Sequence, residues 1–160
     1  MQAVFTLVAL LIVGSWALPT VLPAPPRGEE NMNLNLSSTS FPNGGEIAKK
    51  FTCDGPDVSP ALSWSEAPAR AKSFALLMDD PDAPVGNWNH WTLWNLPPTA
   101  RKLDEGLSKA AQLPDGAQQG LNDFRKTGYN GPCPPPGTPH RYYFKIFCAR
   151  PETHVESRRF

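Results

Sequence analysis

Three runs carry most of the apolar pattern of this chain. In 73–80, Phe74, Leu76, Met78 and Asp80 fall on one face of an extended chain and Ala75, Leu77 and Asp79 on the other. Both faces are apolar until the end, which predicts a strand lying inside a sheet or between layers. From Trp88 to Leu96, Trp88, His90, Thr92 and Trp94 alternate with Asn89, Trp91, Leu93 and Asn95. Pro97-Pro98 stops this run, because neither proline can donate to a ladder. The third run, His140 to Cys148, sets His140, Tyr142, Phe144, Ile146 and Cys148 on one face. Aromatic and β-branched residues dominate all three. Leu34 and Leu36 alternate with polar neighbours, and a Phe41-Pro-Asn-Gly-Gly turn precedes Ile47 to Phe51, so short strands are predicted at both places. No stretch of useful length has a 3.6-residue period. The pattern predicts a mainly β fold, a sandwich or Greek-key barrel.

Composition narrows the picture. A chain of 160 residues has room for one domain. Its 15 Lys+Arg against 15 Asp+Glu give no global field of the kind that draws a protein to nucleic acid, so any anion must be recognised locally. Nineteen prolines and twelve glycines cluster between the apolar runs, which suits a loop-rich β domain. Ala3 to Val13 is almost unbroken apolar sequence, and Ser15-Trp16-Ala17 resembles a cleavage site, so 1–17 reads as a signal peptide. The rival reading is a short membrane anchor through 3–18. The expected destination is secreted or periplasmic or, on the rival reading, anchored in a membrane. Residues 18–32 read as a proline-rich linker, 33–148 as the domain and 149–160 as a tail. Cys53, Cys133 and Cys148 allow one disulfide with one thiol left over, and spacing does not choose the pair. With no Cys-x-x-Cys and scattered histidines, no metal is expected, and nothing calls for a cofactor.

The polar groups stand at strand ends, where a sheet presents them to a common rim. Asp80-Pro81-Asp82-Ala83-Pro84 ends the first run and its prolines restrict the carboxylates. His90 opens the second run, and the rigid Gly131-to-His140 loop leads into the third. Imidazole N–H, tyrosine O–H and loop N–H groups there suit a phosphate or carboxylate. Taken singly, each element has a bland alternative, as a turn, a packed core histidine or an ordinary loop.

Their order in the chain adds to this. Phe51-Thr-Cys-Asp-Gly, Ser59-Pro-Ala-Leu-Ser-Trp64, Asp79-Asp-Pro-Asp-Ala-Pro84, Trp88-Asn-His-Trp91, Asn95-Leu-Pro97, Lys126-Thr-Gly-Tyr-Asn-Gly-Pro-Cys-Pro-Pro135 and Gly137-Thr-Pro-His-Arg-Tyr-Tyr-Phe144 together resemble the phosphatidylethanolamine-binding protein family. The closest likeness is to its prokaryotic, Raf-kinase-inhibitor-like branch. The resemblance implies a two-sheet antiparallel β-sandwich with a small anion pocket at one end. By motif, it implies ligand contacts from Asp80, Asp82, Pro84, His90, Gly131, Pro132, His140, Arg141 and Tyr142. The cysteine pair is then expected to be Cys53 and Cys133, whose loops flank that pocket, with Cys148 apart at the end of the third strand.

The tail from Ala149 to Phe160 departs from the family pattern and is read as replacing a final helix and strand. His154 within it is not counted as a site residue. The expected partner is a small anion or phospholipid head group, with a possible inhibitor role toward an unknown protein target. One alternative is a truncated chain without function. Another is a hydrolase, against which stands the absence of a Gly-x-Ser-x-Gly elbow.

Overall fold

The computed structural model describes residues 34–65, 71–137 and 139–149. The expectations for 1–32 as leader and linker, and for 150–160 within the tail, lie outside these residues. Seven strands form two antiparallel sheets. The smaller sheet joins β1 (Leu36–Ser37), β2 (Leu62–Trp64) and β5 (Lys102–Leu103) in the order β1-β2-β5. The larger joins β3 (Ser73–Asp80), β4 (Trp88–Leu96), β6 (Gln118–Gln119) and β7 (Tyr143–Ala149) in the order β6-β4-β3-β7. The mainly β, two-sheet antiparallel architecture is the one the sequence implies.

The core lies between the sheets. Phe74, Leu76 and Met78 of β3 meet Leu62 and Trp64 of β2 and Leu103 of β5. Trp64 and Phe74 pack edge to face at 5.6 Å across the layers. Each fully buried side chain of this kind contributes about 1.5–3 kcal/mol. The period of two in β3 is therefore read off the molecule directly.

Strict alternation fails twice in β4. Met78 stands opposite Trp91 while Asp79 stands opposite Asn89, so His90 is an extra residue in a β-bulge. Phe74 opposes Leu96 and Leu76 opposes Leu93, which inserts a second extra residue near Asn95, whose φ is 57°. The bulges turn Trp91, Leu93 and Leu96 into the core, and bury His90 beside Trp91. They replace the two clean faces expected for this strand.

Two further expectations are corrected. Residues Lys49–Phe51 form a single 3-10 turn rather than a strand, closed by Phe51 N–H to the Ala48 carbonyl and Thr52 N–H to the Lys49 carbonyl. The third strand begins at Tyr143, not His140. The Arg141 amide donates to the Asp82 carboxylate at 2.8 Å instead of entering the ladder, so pairing with β3 starts only where Tyr143 faces Asp79. Tyr142, Phe144, Ile146 and Cys148 still pack toward the core, as their shared face predicts.

Candidate ligand-binding site

The strand registers gather three chain segments at one end of the larger sheet. Asp80 pairs with Trp88 and Asp79 with Tyr143, so the end of β3 and the starts of β4 and β7 meet there. Pro81 follows β3 and cannot extend its ladder. The Asp82 amide then folds back onto Asp80 Oδ1 at 2.9 Å.

This turn presents two carboxylates to the segment before β7. Asp80 Oδ2 lies 2.7 Å from His140 Nδ1, and both side chains are largely buried, 4% and 11% exposed. Asp82 accepts from Arg141 three times: the backbone amide at 2.8 Å, Nε at 2.9 Å and Nη2 at 2.7 Å. The guanidinium and amide hydrogen bonds hold the Asp82 carboxyl well below the usual carboxylate range. These pairs form a clasp made by two carboxylates.

Opposite the clasp stands a wall made of backbone and a covalent bond. Cys53 and Cys133 are joined by a disulfide with their Cα atoms 5.3 Å apart, the pairing expected from the sequence. The Cys53 amide donates to the Pro132 carbonyl at 3.0 Å, and Tyr129 Oη donates to the Phe51 carbonyl at 2.7 Å. Asp57, held at φ 55°, accepts the Gly131 amide at 2.7 Å and pairs with Lys109 Nζ at 2.8 Å. A Cβ at position 131 would lie 1.9 Å from the Phe51 oxygen, so only glycine lets the two segments meet.

His90 sits between wall and clasp. Its Nδ1 is 2.7 Å from the Asn130 carbonyl oxygen, and its ring meets Phe124 and Tyr142 edge to face at 5.1 and 5.3 Å. Burial lowers its pKa below the ordinary 6.5, with smaller opposing pulls from the Asn130 carbonyl and the Asp80 charge. Tyr142 Oη is buried with no hydrogen-bond partner among the described residues. Burial first, then the Asp80 charge, raises the phenol's pKa well above its ordinary range, so it remains an O–H donor.

The structure thus brings Asp80, Asp82, His90, Gly131, Pro132, His140, Arg141 and Tyr142 to one end of the sheet, while Pro84 is exposed on the turn beyond Asp82. The Gly131 amide and the His90 Nδ1 are already engaged by protein acceptors. His140, Arg141 and Tyr142 also line a groove of about 970 Å³, shared with Leu36, Phe41 and Ile47. Asp57, Asn122 and Asn130 escaped the sequence reading. Asn122 Nδ2 donates to Asn130 Oδ1 at 2.8 Å and to the Gly128 carbonyl at 3.0 Å, fixing the loop that carries Gly131. For Asp57 and Asn130 the signal was there as turn-forming Asp-Gly-Pro-Asp and Asn-Gly-Pro sequences, which give no sign of their partners, and Asn122 stands in neither. Among the described residues no group of three or more His, Cys, Asp or Glu is gathered as a metal ion would need.

A family model described as phosphatidylethanolamine-binding protein matches residues 37–158. A UPF0098 protein of Methanothermobacter thermautotrophicus is 48% identical over 114 residues, covering 71% of this chain and 75% of the relative. One from Aquifex aeolicus is 47% identical over 121 residues, covering 75% and 70%. Two crystal structures share the fold. A putative phosphatidylethanolamine-binding protein homologue from Chlamydia trachomatis aligns with a TM-score of 0.64 at 41% identity, over 72% of this chain and 74% of that one. YbcL of Escherichia coli, described as a member of the mammalian family, aligns with a TM-score of 0.66 at 38% identity, over 71% and 74%.

Proposed function

Because the chain belongs to the phosphatidylethanolamine-binding protein family, we propose that it is a binding protein whose pocket at the Asp80–His140 end takes a small anion, a phosphate or carboxylate group such as a phospholipid carries. The observation that carries this reading is the Tyr142 hydroxyl, a buried group beside His90 whose neighbouring carboxylate, Asp80, is too poorly placed to make a full hydrogen bond with it. Such a group costs about 1–3 kcal/mol unless something accepts its proton. The Asp80 carboxylate does not oppose an anion as an isolated charge would, since one oxygen is capped by the Asp82 amide and the other by His140.

Binding, rather than catalysis, suits the site. His140 and Asp80 are paired as an activated histidine and its orienting carboxylate would be, yet no Ser, Thr or Cys side chain bonds either site histidine among the described residues. An inhibitor role toward a protein would run through the same mouth, where Pro84 and Val85 are exposed. An exported, oxidising destination fits the Cys53–Cys133 bond, whose two cysteines are both exposed.

Tyr142→Phe tests the reading, because it removes one oxygen and leaves the ring. Titration with phosphate and with acetate is expected to show affinity about tenfold weaker. The melting temperature should hold or rise slightly, since an unpaired buried hydroxyl is lost. Unchanged affinity for both anions would reject the pocket.

A further inference from the structure

β7 ends the larger sheet, and among the described residues no strand pairs with its other edge. At the far side of that sheet β6 has only two residues, and the Gln119 amide is already given to the Ala111 carbonyl at 2.8 Å. A longer bare edge presents a row of amides and carbonyls that can template another strand, and proteins commonly spoil it with a charge, a proline or a bulge. β7 has none of these in working order. It contains no proline, and its pairing runs without a break from Tyr143 opposite Asp79 to Ala149 opposite Ser73. Its one charged residue, Lys145, is drawn back onto β3, with Nζ 2.8 Å from the Asp79 carboxylate. On either side of that lysine Tyr143 and Phe147 stand 43% and 52% exposed. On the inner face Phe144, Ile146 and Cys148 are only partly buried, although the β3 residues opposite them, Met78, Leu76 and Phe74, are fully buried. The edge is therefore apolar on both faces and incompletely covered.

We propose that β7 pairs with β7 of a second copy of this chain, antiparallel about a twofold axis at Ile146, so that the two larger sheets join into one. This register engages all seven residues of the strand, and every other centre engages fewer. Ile146 faces its own counterpart, Phe144 faces Cys148 of the second copy, and Lys145 faces Phe147 of the second copy. A twofold axis at Lys145 instead would set that lysine against itself, and like charges directly opposite are destabilising. With 15 Lys+Arg against 15 Asp+Glu, no net charge holds two copies apart. The segment that follows β7 suits the edge less well by sequence. It opens Arg150-Pro151, and its large apolar residues Val155 and Phe160 fall on opposite faces of an extended chain. Pairing uses the β7 edge of both copies at once, and β6 is too short to serve as a second template, so the assembly closes at two.

Sedimentation velocity of the full chain over a range of concentrations tests this, with hydrogen exchange measured at the lowest and the highest. A monomer should give way to a dimer as concentration rises, and the outward amides of 143–149 should gain protection with it. Phe147→Lys places a charge opposite Lys145 of the second copy and should weaken the dimer at least about tenfold. Phe147→Glu meets the same lysine with the opposite sign and should stay within about threefold of the native chain. Phe147 is exposed, so neither change disturbs the core. A chain that stays monomeric with those amides exchanging freely overturns the proposal. So does a monomer in which they are protected at every concentration, because the chain then covers its own edge. A dimer that Phe147→Lys leaves intact, with protection gained elsewhere, removes β7 from the interface. A dimer that both substitutions weaken equally overturns the register at Ile146 and keeps β7 as the contact.

Discussion

The wall and the clasp flank His90 by opposite means. The wall joins 51–57 to 129–133 with a disulfide, backbone hydrogen bonds and a glycine that admits close approach. The clasp joins 80–82 to 140–141 through carboxylates alone, and Arg141 remains 68% exposed while it does so. Water competes for exposed ion pairs, and salt screens them. A covalent link answers to neither, and the part-buried Asp57–Gly131 contact answers less than an exposed pair does. The proposed site thus has one side fixed by connectivity and another that solution conditions tune.

Breaking the wall should have the larger effect. Replacing Cys53 and Cys133 by serine reopens a loop spanning 80 residues. Chain-entropy reasoning puts the loss at about 4 kcal/mol, read as a lower denaturant midpoint. A loss under about 1 kcal/mol would mean that the Asp57, Tyr129 and Cys53 hydrogen bonds hold the wall unaided.

Acid should separate the two regions next. His90 is bonded to the wall and its folded pKa is lowered, chiefly by burial. Above 6.5, the ordinary value, neither folded nor unfolded His90 is charged and its contribution to stability is complete. As pH falls below 6.5 the unfolded chain takes up the proton first, so stability declines until the folded pKa is reached. Asp82 runs lower: its contribution is present above 3.8 and is lost only as pH falls beneath that value. Denaturant midpoints measured from neutral to mildly acid pH should therefore fall for the native chain, and fall less for His90→Asn, which keeps a donor for the Asn130 carbonyl. Parallel curves would show that the buried ring does not drive the decline.

The smallest change is expected from the clasp. Asp82→Ala releases Arg141, and ligand affinity should drop on the order of threefold with little movement of the unfolding midpoint. Added salt should reproduce part of that drop in the native chain and none of it in the variant. A variant that unfolds as easily as the disulfide-free chain would erase the distinction between the two regions.

The sequence made one region far more legible than the other. The clasp residues stand at the ends of runs whose alternation marks β3 and β4 to the residue, so Asp80, Asp82 and His140 could be assigned to one rim. Alternation tracks where side chains point and is blind to what backbone groups bond. It therefore misplaced the start of β7, where a carboxylate captures the Arg141 amide, and passed over the bulges of β4. The two-residue strands β5 and β6 are too short to show any period. Asp57 and Asn122 read as turn formers because their partners lie in other loops or among backbone amides and carbonyls. Only the likeness to family motifs connected those loops, through the expected Cys53–Cys133 pair.

The distances along the chain in the wall also set an order of events in folding. The β3–β4 hairpin closes across a few residues, from Asp80 to Trp88, and can form as soon as both strands exist. The wall needs partners 74 to 80 positions apart: Gly131 with Asp57, Tyr129 with Phe51, Cys133 with Cys53. Loop closure of that span is entropically costly, and a chain made from its N-terminus must wait for residue 133 before the cysteines can meet. The tryptophan-lined core can thus assemble around a pocket that does not yet have its second side. Closure of the Cys53–Cys133 bond becomes the signature of a finished molecule, since only then do the two segments of the wall stand together.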